Sequence, residues 1–482
     1  MTALLLFVGE ALARAGGGGG FSGGGGDGGG YSGGGGDGGG GDAIFRLLIW
    51  LVFSHPVIGI PVLIVVVVAW VMLQSQKAGT QFDRTVVRGP ARPLAPPPRS
   101  SAADRAELLR RDPTFSEVLF LDFARLVFVR AHEERGRKNL ASLTALLAPE
   151  AIRALEARES GAVRDVILGT VQLRSLTVAG DEARAVVKFV ANHTVGERVL
   201  LTEEWWAFAR NADVRSPGPE KMQALRCPSC GSALDSRPDG SCVNCNAPLA
   251  DGAHLWRVIG TDVRDVRDVP NLSLELGGGV ESGTTLPLRR AADFAANQRA
   301  LTARHPEFDE IAFNRRAAEI FLKVQEAWSA MNPEAIRGLE TDGVFQSHRY
   351  WIERYRREGL KNRAANVSVT GVMPARIQMD AFYTAITVRI FATMLDWTEN
   401  ASGKVVGGSR TEPKRFSEYW TFVRSAGKPL APGGATTVCP SCGAPLDRVG
   451  ESGVCGYCDA KITTGDFDWV VAAIDQDDVY EG

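Results

Sequence analysis

All eight cysteines of this 482-residue chain fall in Cys-x-x-Cys pairs, and the pairs come in two sets of two. The first set is Cys227, Cys230, Cys242 and Cys245, and the second is Cys439, Cys442, Cys455 and Cys458. Within a set the two pairs stand 11 and 12 residues apart, respectively. A short turn carrying two thiolates, met by a second such turn across a hairpin, offers four sulfurs to a tetrahedral zinc ion. Gly231 and Gly443 follow the leading pair of each set, where the knuckle backbone turns left-handed. A chain this long needs no disulfide staples, and thiolate zinc sites belong to a reducing compartment. The expectation is two structural zinc ions with closed coordination spheres, which leaves no open metal position for catalysis.

The sequence around each set repeats as well. DPTFSEVLFLDFARLVF and HPEFDEIAFNRRAAEIF each run from X-Pro-X-Phe into an amphipathic helix, and both halves contain PEAIR-x-LE, at Pro149–Glu156 and Pro333–Glu340. In the second half Phe313, Ala317, Ile320, Val324 and Trp328 recur on one helical face. Pro333 is expected at the start of the next helix with Asn332 as its cap, and a basic helix is expected over His348–Arg363. Alternating, β-branched stretches follow in both halves, then the aromatic strands LTEEWWAFAR and RFSEYWTFVR, the cysteines and one last strand. Helices first and a meandering sheet afterwards predict an α+β module, present twice.

The N-terminal part differs in kind. MTALLLFVGEALARA, residues 1–15, reads as the tail of a signal peptide, and residues 16–42 are a glycine-rich tether with a ten-residue repeat and nothing to bury. Residues 43–73 read as a transmembrane segment, because Pro56–Leu73 gives 18 consecutive apolar or glycine residues, about 27 Å of helix. Residues 74–104 form a Pro/Arg-rich linker. Lys77, Arg84, Arg88, Arg92 and Arg99 follow the span against Asp83, so the positive-inside rule places the tether outside and the C-terminal part in the cytoplasm. The remaining boundaries are a first module at 105–270 with its ribbon at 226–250, a linker at 271–299, and a second module at 300–482 with its ribbon at 438–463.

With these residues in hand, the chain resembles bacterial Tim-forty-four-like domain proteins, relatives of a mitochondrial inner-membrane import translocase subunit. The resemblance rests on the signal-like start, tether and span, the X-Pro-X-Phe helices, the PEAIR phrase and the aromatic strand. It implies two cone-like modules similar to nuclear transport factor two, with helices on a curved antiparallel sheet around an apolar pocket. It also implies a single-pass protein of the bacterial inner membrane, and contact with anionic lipid. The duplicated module, the cysteine ribbons and the genuine span depart from the mitochondrial pattern.

Net charge of −2 gives no reason to expect a nucleic-acid partner, and the ribbon loops add only Arg237 and Arg448. Acid or base candidates on strands are Asp380, Glu418 and His193, none with a partner set by spacing; Glu203-Glu204 and Glu418 read as strand-edge charge. No histidines stand at metal-ligand spacing, and no nucleophile motif or phosphate loop is present, so no catalytic residue is expected. Arg349, Arg354, Arg356, Arg357, Lys361 and Arg363 are candidates to face anionic headgroups. The functional expectation is a noncatalytic scaffold or binding protein with a protein partner. The alternative is an enzyme or a small-molecule or lipid sensor using the cone.

Overall fold

The structure, a computed structural model, describes residues 102–158, 161–219, 236–237, 239–247, 249, 256–268, 279–281, 283–430, 438–445, 453–477 and 479–482. The signal-like tail, the tether, the expected span at 43–73 and the linker as far as residue 101 lie outside the described residues, as do Cys227, Cys230, Gly231 and Arg448. Among the described residues no helix is long and apolar enough to cross a membrane.

Helix α1 (Ala102–Arg111) leads into α2 (Glu117–Gly136). Ser116 caps α2, its hydroxyl accepting from the Leu119 amide at 3.3 Å. A 3-10 turn at Leu140–Leu143 and helix α3 (Pro149–Glu156) precede an antiparallel meander of β1 (Val163–Ala179), β2 (Glu182–Val195), β3 (Arg198–Asn211) and β4 (Arg257–Asp268). The two-residue strand β5 (Gly279–Val280) pairs with a strand of the second half. Helix α4 (Phe294–Arg304) begins inside the stretch read as a linker, and α5 (Glu310–Ser329) follows, capped by Asp309 through the Ile311 amide at 2.8 Å. A 3-10 turn at Pro333–Leu339 and helix α6 (Asp342–Arg357) lead to β6 (Leu360–Met379), β7 (Tyr383–Asn400), β8 (Val405–Ser425) and β9 (Val470–Gln476), again antiparallel in sequence order.

The halves correspond in detail. Helices α2 and α5 are both 20 residues long. Each ends in a left-handed residue, Lys138 (φ 57°) or Met331 (φ 58°), and then Asn139 or Asn332. Each half then makes a parallel bridge to its last strand, Leu147 to Val258 and Glu340 to Val471, before α3 or α6 begins. That correspondence corrects the expected alignment. The first PEAIR phrase is α3, after the bridge, whereas the second is the 3-10 turn before it, and Asn332 makes no side-chain cap. Proline fits the first turn of either kind of helix, so one phrase serves two different elements.

The basic helix also ends earlier than expected. Gly359 (φ 67°) takes a left-handed conformation, its amide bonds the Arg356 carbonyl, and the chain leaves α6 for β6, so Lys361 and Arg363 are strand residues.

Two aromatic cores result. In the first, Phe120 of α2 meets Phe208 edge-on at 5.5 Å, and Phe128 stacks on Phe189 at 4.5 Å. In the second, the expected face of α5 is buried, Phe321 meeting Trp420 at 5.1 Å and Phe313 meeting Trp469 at 4.8 Å. The cores interlock. Tyr383, Ala385, Val423, Val470 and Ala472, from the second sheet, belong to the first core, while Val190 and Leu201 of the first sheet belong to the second.

Candidate metal centre and intermodule cleft

The hairpin between β8 and β9 brings Cys439, Cys442, Cys455 and Cys458 together, all four sulfurs within 4.8 Å of one another. Cys439 and Cys458 sulfurs are 3.8 Å apart, and those of Cys442 and Cys455 are 3.9 Å apart. Both knuckles are closed by the same pair of backbone bonds. The Cys439 amide donates to Ala444 at 2.6 Å and Gly443 returns to Cys439 at 2.7 Å; the Cys455 amide donates to Ala460 at 2.9 Å and Asp459 returns to Cys455 at 3.0 Å. The residue after each pair is left-handed, Gly443 at φ 73° and Asp459 at φ 58°.

Cys242 and Cys245 adopt this knuckle too. The Cys242 amide donates to Ala247 at 2.9 Å, Asn246 returns to Cys242 at 3.0 Å, and Asn246 is left-handed at φ 59°. Their expected partners Cys227 and Cys230 lie outside the described residues.

The electrostatics of the second set fit a cation. Burial opposes the Cys439 thiolate, yet the amides of Cys442 and Ser441 draw it down to about 7. The Ala444 amide favours the Cys442 thiolate, but burial and the sulfurs of Cys458, Cys439 and Cys455 push it up to about 12. Four thiolates this close repel one another unless a metal ion sits among them, so the cluster suits a soft divalent cation. Each cysteine hairpin is also latched to its own module's 3-10 turn region. Ser236 bonds Thr144 at 2.8 Å and the Ser142 carbonyl at 3.0 Å, while Lys461 bonds Asp342 at 2.6 Å beside Arg337.

The six cations of the basic stretch are spread over different settings. Arg354 is 5% exposed and pairs with Glu358 at 3.1 Å, its guanidinium 5.4 Å from the Trp351 ring. Arg349 and Arg363 are half-buried beside Glu353 and Glu399, each at 3.3 Å. Arg356 donates to the Met331 carbonyl, and Arg357 lies 6.0 Å from the Tyr350 ring. Arg356, Arg357 and Lys361 are the exposed members.

The acid and base candidates are held by partners that spacing did not show. Glu204 and Glu418 are fully buried rather than strand-edge charges, and each accepts the indole N–H two residues on, from Trp206 at 2.8 Å and Trp420 at 2.9 Å. Glu204 also pairs with Arg158 at 2.7 Å and lies 3.3 Å from Nε2 of His132. His193 stacks on His132 with ring centroids 5.1 Å apart. Burial pushes both histidines down, His132 to about 4 and His193 to about 3. Asp380 caps the β6–β7 turn through the amides of Phe382 and Tyr383, both at 2.8 Å. Only the adjacency of β2, β3 and α2 unites His132, His193 and Glu204, and no short motif carries that signal.

Between the modules, α2 and β1 face the second sheet across a cleft of about 290 Å³. Glu117 bridges it, accepting from Arg376 at 3.1 Å and Gln378 at 2.9 Å. Arg174 pairs with Glu481, and Arg125 donates to Asp122 and to the Ala472 carbonyl, both at 3.3 Å. Asp475 and Tyr480 also line it.

Residues 294–433 match the Tim44-like domain family. The match opens on the first residue of α4 and stops before the cysteine hairpin, so the candidate metal centre and β9 lie outside the matched residues. No curated protein matches the chain. By sequence, then, the helical layer of the second module and its sheet through β8 are similar to the Tim44-like domain.

Proposed function

We propose that this chain is a noncatalytic, membrane-anchored scaffold or binding protein with two Tim44-like modules in the cytoplasm, acting in protein translocation or membrane-protein assembly. The observation that carries this reading is the Tim44-like match over residues 294–433. A duplicated module is supported by the matching caps, left-handed helix ends and strand bridges of the two halves. The apolar run at 43–73 serves as the single-pass anchor in a bacterial inner membrane, with the glycine tether outside. Each module carries one structural zinc ion, one on Cys227, Cys230, Cys242 and Cys245 and one on Cys439, Cys442, Cys455 and Cys458. The shared knuckle geometry of Cys242, Cys439 and Cys455 supports the pairing of the two sites. The engagement of Glu204 and Glu418 by buried tryptophans favours a structural role for both carboxylates.

The test is affinity capture of the full-length protein from its native membrane in mild detergent, followed by mass spectrometry. Recovery of translocation, insertion or chaperone components at stoichiometric yield is expected. A clean preparation without a protein partner overturns the scaffold reading. A second reading, a small-molecule sensor, draws on the polar cleft between the modules.

A further inference from the structure

Among the described residues, the side-chain charges lining the intermodule cleft are paired except at Asp475. Arg376 is taken by Glu117, Arg174 by Glu481 and Arg125 by Asp122. Asp475, at the cleft's β9 wall, is 9% exposed, and among the described residues no cation comes within salt-bridge distance of it. Its one hydrogen bond there is a long one, from Gln172 Nε2 at 3.4 Å. Two more polar atoms beside it are unsatisfied. The Oε1 of Gln172 is buried without a partner, because its amide nitrogen is spent on Asp475 and the Val479 carbonyl. Tyr480 is 5% exposed, its ring held against Tyr419 at 3.8 Å, and its hydroxyl lies beside Thr387 without a well-formed hydrogen bond. Val171, Leu173, Val423 and Ala472 give the same cleft apolar walls. A buried carboxylate without a counter-charge is costly, and unpartnered buried acceptors beside it add to that cost.

We propose that this cleft binds an aliphatic primary ammonium group, with Asp475, Gln172 Oε1 and Tyr480 Oη receiving its three N–H bonds and the apolar walls holding its carbon chain. An ammonium carries three donors and no acceptor, which matches one amide oxygen and one hydroxyl beside one anion. The arginines of the rim do not serve instead, since each already holds its own acid. A planar guanidinium is less suited, because its fork of donors asks for a bidentate carboxylate with open sides. Burial drives Asp475 up to about 6, against the pull of Arg125 and Gln172, so at pH 7.5 it is largely ionised and ready for a cation. A free amine and the lysine side chain of a protein segment both bear this ammonium, and the chemistry at Asp475 is the same for either. This inference rests on the cleft alone and not on the membrane or translocation reading.

The experiment is calorimetric titration of the full-length protein in mild detergent at pH 7.5 with pentylamine, with Nα-acetyl-lysine methylamide, and with pentanol as the uncharged control. Binding of the amine, the lysine derivative or both is expected, with none for pentanol, and the tighter of the two identifies the source. Asp475→Asn should weaken binding at least tenfold while leaving the melting temperature intact, since the amide keeps the shape and removes a buried charge. Tyr480→Phe, which deletes only a hydroxyl, should weaken it about threefold to tenfold. Absence of binding by both amines, equal binding of pentanol, or an unchanged affinity in Asp475→Asn would each overturn the proposal. Failure here leaves the scaffold reading untouched, because capture of translocation components tests a different property.

Discussion

The stacked pair His132 and His193 is buried beside Glu204 and Arg158, and both imidazoles are held neutral by desolvation. An unfolded histidine takes up a proton near pH 6.5, whereas these resist until about 4 and 3. The folded pKa values are depressed, so their contribution to stability is present above pH 6.5. It is lost as pH falls from there toward 4, at about 1.4 kcal/mol per pH unit for each histidine. Asp475, raised to about 6, works in the opposite sense over part of the same window, so the effect has to be read against a variant. Between pH 7 and pH 5 the wild type should lose about 1–2 kcal/mol more stability than His132→Gln, measured by urea unfolding. Equal losses would mean that His132 is already charged in the folded state. None of this was legible in the sequence. His132 lies far from His193 and Glu204 along the chain, and the meeting of the three depends on helix packing and strand register, Phe189 opposite Glu204 and His193 opposite Leu200. The aromatic strands were legible as strands, but the alternation that buries Trp206 and Trp420 buries Glu204 and Glu418 with them.

Cysteine spacing was the clearest signal because a knuckle is a local object. Five or six residues fix its turn, its two backbone bonds and its left-handed residue, with no help from the rest of the fold. The PEAIR phrase misled for the opposite reason. A proline-led apolar turn is compatible with an α-helix or a 3-10 turn, and only the bridge to the last strand tells them apart. Lys361 and Arg363 illustrate a third case, where Gly359 ends α6 although the basic composition runs on. If each set of four cysteines holds one zinc ion, Cys455→Ser should lower zinc from two ions per chain to one by elemental analysis. The melting temperature should fall as well, since metal binding contributes folding free energy directly. Cys455 is the sensitive choice because it is buried with Cys439, Ile462 and Phe467 in the hairpin's own small core. Retention of two ions would show that the remaining three thiolates, or other groups, suffice.

At the scale of the whole molecule the two modules are not beads on a string. Interfaces between domains of one chain are usually polar and loosely coupled. Here Tyr383, Ala385, Val423, Val470 and Ala472 of the second sheet are counted in the core built on α2, and Val190 and Leu201 of the first sheet are counted in the core built on α5. A strand covered on both faces loses its alternation, and β7 is buried without a break from Tyr383 to Ile390, but Thr384, Thr387 and Arg389 interrupt its apolar run, so the sequence does not announce the second contact. Two cores that share side chains should melt together. The full-length chain in mild detergent should therefore show one calorimetric transition for both modules, with calorimetric and van't Hoff enthalpies in agreement. Ala472 is the place to break that coupling. It is 8% exposed in the shared core, and its carbonyl already accepts from Arg125 across the interface. Ala472→Arg forces a long cation into that contact, a change of about 3 kcal/mol or more. The single transition should then separate into two, each module melting on its own core. If the unsubstituted protein already melts in two steps, the shared side chains are too few to couple the modules. The cleft between them would then open and close without unfolding either one.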